Sequence, residues 1–264
     1  MKTGFLSLNY RNVLAYIIIV FIIIVIGYCC YNKTTETMSN ESNVVFIIPS
    51  SSRNMNFADA DSCSLLKTLY SSLQKLDISN YKFIIGIDDD DEFYLKHINE
   101  LKERLPKNFH FHFFNNFDKS YVCIVNQLAA VAINDYGAEY LSVFADDLNV
   151  YSLDHINKFI DYFKNNGYIC LGWAIDEGNE RIATHPFLHK KHVELLGYFY
   201  PKEIKNWYCD DWATEVYTKL GKIIKSDKPV FANTLLAQDA NRYTIAPVEN
   251  LQGLVDFAVD VLSQ

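Results

Sequence analysis

Three times in this chain an apolar run breaks off into polar or acidic side chains. The stretches are "NVVFIIPSSSRN" (43–54), "KFIIGIDDDDEF" (82–93) and "EYLSVFADDL" (139–148). Each run is too short for a stable helix and rich in Val, Ile, Phe or Tyr, so each reads as a buried strand ending in a loop. Helical periodicity fills the gaps. Leu65, Leu66, Leu69, Leu73 and Leu76 predict a helix over 62–76, and a second runs over 94–105 before Pro106. Val125, Leu128, Ala129, Ala132 and Ile133 predict a third over 121–136, closed by Gly137. "FHFHFF" (109–114) alternates as a strand. Ser152 can cap a helix that turns Ile156, Phe159, Ile160 and Phe163 inward and stops at Gly167, and "YICLGWAI" (168–175) adds a strand. After Asp176 the pattern loosens, with helices expected at 190–196 and 210–220 and short strands near Lys222 and Val230. Strands alternating with helices specify an α/β domain with a mostly parallel central sheet and helices on both faces, Rossmann-like in plan.

In such a sheet, ligands bind outside the carboxyl ends of the strands. The three polar breaks would share that edge, bringing together Pro49, Ser50, Arg53, Asp88 to Asp91, Asp146 and Asp147. Neighbouring carboxylates repel one another. A hard divalent cation, Mg²⁺ or Mn²⁺, offsets that repulsion and commonly bridges to phosphate oxygens. Asp88 and Asp89 lie nearest the strand end and are the better candidates for ligand contact. Asp90, Asp91 and Glu92 are expected to face solvent at the positive end of the next helix. Arg53 can pair with phosphate, and Asn126 lies on a helix that can line the same pocket. A second acidic pair, Asp210 and Asp211, is flanked by Trp207, Tyr208 and Trp212. His185 and His189 in "ATHPFLHKKH" are expected on a loop.

A formal net charge of −8 over 264 residues excludes general phosphate-backbone binding, so no nucleic-acid partner is expected. The uncharged stretch Val13–Cys30 has 18 residues, enough to cross a bilayer. It is too long for the apolar core of a cleaved signal, the alternative, and no A-x-A-like site follows. Lys2 and Arg11 precede it, which places 1–12 in the cytosol and the rest on the lumenal or outer side as a type II membrane protein. Residues 31–43 then form a stalk carrying the glycosylation tripeptides "NKT" at Asn32 and "NES" at Asn40, and 44–264 the globular domain. Cys29 and Cys30 sit where acylation is possible. Cys63, Cys123, Cys170 and Cys209 admit two disulfides in an oxidising compartment or four free thiols.

From about Asn43 to Leu220 the order of these features resembles the GT-A-fold glycosyltransferases, which use nucleotide-activated sugars. "VVFIIPSSSRN" is similar to their opening nucleotide-binding strand and loop, and "IIGIDDDDEF" to the second strand, whose acidic end contacts base or ribose. "GAEYLSVFADDLNV" is similar to the strand that carries the metal motif, and "NWYCDDWATEVY" to the later motif that supplies a catalytic carboxylate in inverting members. The resemblance implies a nucleotide-sugar donor, a glycan, glycoprotein or glycolipid acceptor, and Mn²⁺ or Mg²⁺. It implies Asp147 as main metal ligand with Asp146 beside it, and Asp211, next to Asp210, as the base. His185, Trp207 and Trp212 are then acceptor-side residues. Two departures stand out. Ala145 replaces the first acid of the usual metal motif, and no histidine follows His192, leaving His185, His189 or water to complete the metal's coordination. A nucleotidyltransferase also uses paired aspartates and Mg²⁺, but "PSSSRN" lacks the glycine-rich phosphate loop expected of it. A transferase-like module that binds glycans or partners without catalysis is the remaining alternative.

Overall fold

Val44, Phe46 and Ile48 turn to one side of the first strand and Val45 and Ile47 to the other, and all five are buried. A strand buried on both faces belongs in the middle of a sheet covered on both sides. The computed structural model, which describes residues 43–116, 118–233 and 245–264, shows this arrangement. β1 (Val44–Pro49) pairs in parallel with β2 (Lys82–Asp88) and β4 (Tyr140–Val143), and β2 pairs in parallel with β3 (Phe109–Phe114). Beyond β4 come β7 (Pro186–His189), β6 (Leu171–Trp173) and β8 (Ile223–Lys225), giving the order β3-β2-β1-β4-β7-β6-β8. A separate antiparallel pair joins β5 (Leu148–Val150) to β9 (Phe231–Asn233).

One face of the sheet is covered by α1 (Leu65–Tyr70 wound as a π-helix, then Ser71–Leu73), α2 (Glu92–Arg104) and α4 (His155–Asn166). The other is covered by α3 (Tyr121–Asn134), α6 (Cys209–Leu220) and α7 (Leu251–Leu262), with the short α5 (Lys191–Leu196) against α7. The spacing of α3 from the sheet is set at Gly86, where a β-carbon would come within 2.8 Å of Ile124 and Leu128. The glycine in "FIIGID" is thus a close-approach site between strand and helix.

The expected parallel sheet is present in its first half. The second half departs from it, because β7 runs antiparallel to both β4 and β6. The segment "HPFLH", expected as a loop, is therefore a strand inside the sheet. Its leading proline and flanking histidines read as loop punctuation, yet all four strand residues are buried. Ser152 does not cap α4; it accepts a bond from the Asp154 N–H at 3.1 Å, making a turn before the helix starts at His155. Cys63, Cys123, Cys170 and Cys209 are free thiols. Residues 1–42, with the expected span Val13–Cys30, most of the stalk and both glycosylation tripeptides, lie outside the described residues. Among the described residues no helix is long and apolar enough to cross a membrane.

Candidate active site

The antiparallel turn of β7 decides where the site forms. Its pairing sets Phe187 beside Ser142 of β4 and Pro186 beside Trp173 of β6. The residue entering β7, His185, and the residues leaving β6, up to Asp176, therefore arrive at the same edge as the carboxyl end of β4. β9 runs beside β5 with Asn233 opposite Leu148, so Asn233 arrives next to Asp147. The edge encloses a cavity of about 370 Å³ whose lining includes Pro49, Asp146, Asp147, Asp176, His185, Asp210 and Asp211. A volume of this size falls in the range of small-molecule sites.

Asp146 is held from behind. The Ser50 hydroxyl donates to its carboxylate at 2.5 Å, and the same hydroxyl lies 2.5 Å from the Tyr94 hydroxyl of α2. Ser50 thus acts through Asp146 and does not line the cavity. Asp147 is buried beside it. Opposite stands the start of α6. The chain enters this helix through Tyr208 at φ 77°, a left-handed conformation that a bulky residue adopts only under constraint. That turn leaves Trp207 and Tyr208 exposed at the cavity rim and directs the next two residues inward.

The two aspartates of α6 differ in environment. Asp211 is ion-paired to Arg181 at 2.8 Å. Asp210 lies deeper, within 3.4 Å of the Tyr200 hydroxyl and 3.6 Å of the Cys209 thiol. Burial pushes its carboxyl up to about 7; the Cys209 and Tyr200 bonds pull it down, and the negative charge of Asp211 pushes it up further. A carboxyl poised near neutrality is suited to taking a proton.

Asp176 was missed in the sequence. It is buried, with Oδ1 accepting from the N–H groups of Gly178 (2.9 Å) and Asn233 (3.2 Å) and Oδ2 from the Thr184 hydroxyl (3.2 Å). The signal was present, since "YICLGWAID" is a fourth apolar run ending in an acid. Arg181, a second missed residue, carried no pattern of its own. His185 is buried, and its Nδ1 sits 3.2 Å from the Val143 carbonyl. Burial pushes its ring down to about 4, so it is neutral at physiological pH.

Several expected site residues are elsewhere. Asn126 does not line the cavity: its Oδ1 accepts from the N–H groups of Phe199 and Tyr200, both at 2.9 Å, and its amide donates to the Tyr200 carbonyl at 2.8 Å. It pins the loop before α6 to α3. Trp212 is wholly buried in the core between sheet and helices, because the fourth residue of α6 faces inward, so it cannot stack on an acceptor. His189 lies at the far end of β7, where its Nδ1 accepts from the Lys191 N–H. Asp88 forms a separate cluster with Arg53 (2.6 Å), Asn116 (2.8 Å) and Lys119 (3.5 Å), beside the cavity but not lining it. Asp89 is exposed. Asp91, expected to face solvent, is instead buried: it caps α2 through the Tyr94 N–H and holds Ser52 by two bonds of 2.8 and 2.7 Å.

A divalent cation fits the donor chemistry in part. Asp146 and Asp147 offer hard oxygens in an acidic cavity. Among the described residues no three His, Cys, Asp or Glu side chains converge into a cage. Substrate oxygens and water would have to supply the remaining ligands, as is usual for Mg²⁺.

A half-parallel sheet in this order, with an acidic cavity at its carboxyl edge, is the fold of the GT-A-type glycosyltransferases, and the chain has that fold. Three solved structures share it. They are Staphylococcus aureus TarS 1–349 (13% identity, TM-score 0.51, covering 73% of this chain and 60% of that one), the same fragment with UDP (12%, 0.52, 82% and 65%), and the mannosyltransferase PcManGT from Pyrobaculum calidifontis with GDP-Man and Mn²⁺ (11%, 0.54, 85% and 74%). The chain thus spans 60 to 65% of the TarS fragment's length. No family model and no curated protein matches the sequence.

Proposed function

We propose that the protein transfers a sugar from a nucleotide-sugar donor to a hydroxyl acceptor with inversion, assisted by Mn²⁺ or Mg²⁺. The observation that carries this reading is the meeting, across one cavity, of Asp146 and Asp147 after β4 with Asp210 and Asp211 at the start of α6. Asp147, with Asp146 set by Ser50, would hold the cation, which supplies charge stabilisation to the departing diphosphate. The acceptor lies against the exposed Trp207 and Tyr208 at the rim, where a sugar ring can stack. A carboxylate of α6 takes the proton from the acceptor oxygen as that oxygen attacks the anomeric carbon from the face opposite the leaving group. The resemblance points to Asp211 as the base. The environments favour Asp210, which is poised near neutrality while Asp211 is tied to Arg181. The UDP complex of TarS and the GDP-Man and Mn²⁺ complex of PcManGT, which share the fold, support a nucleotide-sugar and a metal as the first ligands to try. A membrane anchor at 13–30 with a lumenal or external catalytic domain completes the proposal.

The test is a panel of nucleotide-sugars with Mn²⁺ or Mg²⁺, read by released nucleoside diphosphate, with Asp147→Ala as control. Metal-dependent release from one donor, lost in the variant, is the expected result. No release from any donor, together with no nucleotide binding by calorimetry, would overturn the reading in favour of a non-catalytic module.

A further inference from the structure

The loop between β6 and β7, residues 174–185, is tied at both ends of the cavity. On one side Asp176 accepts the Asn233 N–H, and Asn233 pairs with Leu148, the neighbour of Asp147. On the other side the Ala183 N–H donates to the Thr214 hydroxyl of α6 at 2.9 Å, and Arg181 pairs with Asp211. The loop contributes Asp176, Arg181, Thr184 and His185 to the cavity that the carboxylates after β4 and those of α6 also line.

Two buried acceptor atoms of this wall have no hydrogen-bond partner among the described residues: His185 Nε2 and Asn233 Oδ1. His185 is only 4% exposed and lines the cavity. Its Nδ1 faces the Val143 carbonyl, which can only accept, so the ring proton sits on Nδ1. Nε2 is then a lone-pair acceptor. Asn233 is also among the lining residues, and its unpartnered side-chain oxygen, an acceptor, is buried like His185 Nε2. Between them, Asp176 takes three donors from its own chain and keeps part of its acceptor capacity. A buried acceptor left unpaired is costly, and native proteins rarely retain one without a use.

We propose that His185, Asn233 and Asp176 form a cradle of acceptors that reads the hydroxyl groups of the transferred sugar. This rests on the glycosyltransferase reading above and adds a specificity to it. Each sugar hydroxyl has one proton to donate, and these three acceptor residues line the same cavity as the carboxylates after β4 and those of α6. The cradle favours neutral hydroxyl-bearing hexoses over uronic acids, whose carboxylate would face Asp176.

The experiment uses the full chain and calorimetry with UDP, GDP, their hexose conjugates and deoxy-hexose conjugates in which one ring hydroxyl at a time is replaced by hydrogen. Wild type should bind one hexose conjugate more tightly than the nucleoside diphosphate alone. His185→Phe and, separately, Asn233→Ala should each lose about tenfold of that added affinity, in line with one hydrogen bond, while their affinity for the nucleoside diphosphate stays level. At one ring position the deoxy sugar should cost wild type the same factor and cost His185→Phe nothing more. That measurement on wild type needs no variant to fold. Equal losses for the diphosphate and its hexose conjugate would overturn the cradle. So would additive losses from deoxygenation and substitution, or a parallel fall in Mn²⁺ affinity without nucleotide, which would make His185 a cation ligand. If wild type binds no nucleotide and releases none, the glycosyltransferase reading fails and the cradle with it. If wild type turns over a donor and the variants keep its sugar selectivity, only the cradle fails.

Discussion

Replacing Asp210 by Asn should make the protein more stable and less active, with a gain in stability that grows with pH. The carboxyl rises from its ordinary 3.8 to about 7, with burial as the main cause. The sign follows from proton linkage. Between those two values the folded state holds a proton that the unfolded state has released, so stability falls as pH rises across that interval and is level above it. The unscreened cost of keeping the carboxylate is about 4 kcal/mol above pH 7, about 2 kcal/mol at pH 5 and near nil below pH 4. The group is partly open to the cavity, and water there screens it, so about 2 kcal/mol is the expected gain at pH 8. Asn keeps the shape and cannot ionise, so the cost disappears in the variant. Urea unfolding at pH 5 and pH 8 with an unchanged m-value measures the gain. Turnover should fall by about 10² to 10⁴, the usual contribution of a general base. A stability difference that does not grow with pH, or a variant that keeps full activity, would refute the assignment of Asp210.

Other perturbations probe the remaining links. The wild-type rate should rise with pH through about 7, the value for Asp210, and Asp211→Asn should move that inflection downward by removing the neighbouring negative charge; an unmoved inflection would assign it to another group. Asn126→Ala should destabilise by about 2 kcal/mol in thermal or urea unfolding, because it leaves the Phe199 and Tyr200 N–H groups unpaired; a neutral result would mean the loop before α6 is held otherwise. Gly86→Ala should cost about 1 to 3 kcal/mol, since its β-carbon would meet Ile124 and Leu128 at 2.8 Å; an unchanged melting temperature would show that α3 can move off the sheet.

The division between sequence and structure follows the range of the forces involved. Strand and helix identity is written in local periodicity, so β1, β2, β3, β4 and the helices around them could be read from residue spacing. The acidic ends of the strands were legible for the same reason: a carboxylate directly after an apolar run has to meet polar partners at the sheet edge. What spacing cannot encode is strand direction. The antiparallel insertion of β7 between β4 and β6 pairs β7 with a strand distant in sequence, and it carries Asp176 and His185 to the cavity. Nor can spacing tell which polar side chain is committed inside the molecule. Asn126 and Trp212 look like site residues by type, but Asn126 is spent on backbone bonds to Phe199 and Tyr200 and Trp212 is buried in the core. Asp210 and Asp211 are adjacent and chemically identical. Only depth raises the Asp210 carboxyl and only Asp211 meets Arg181, because desolvation and ion pairing are set by neighbours distant in sequence.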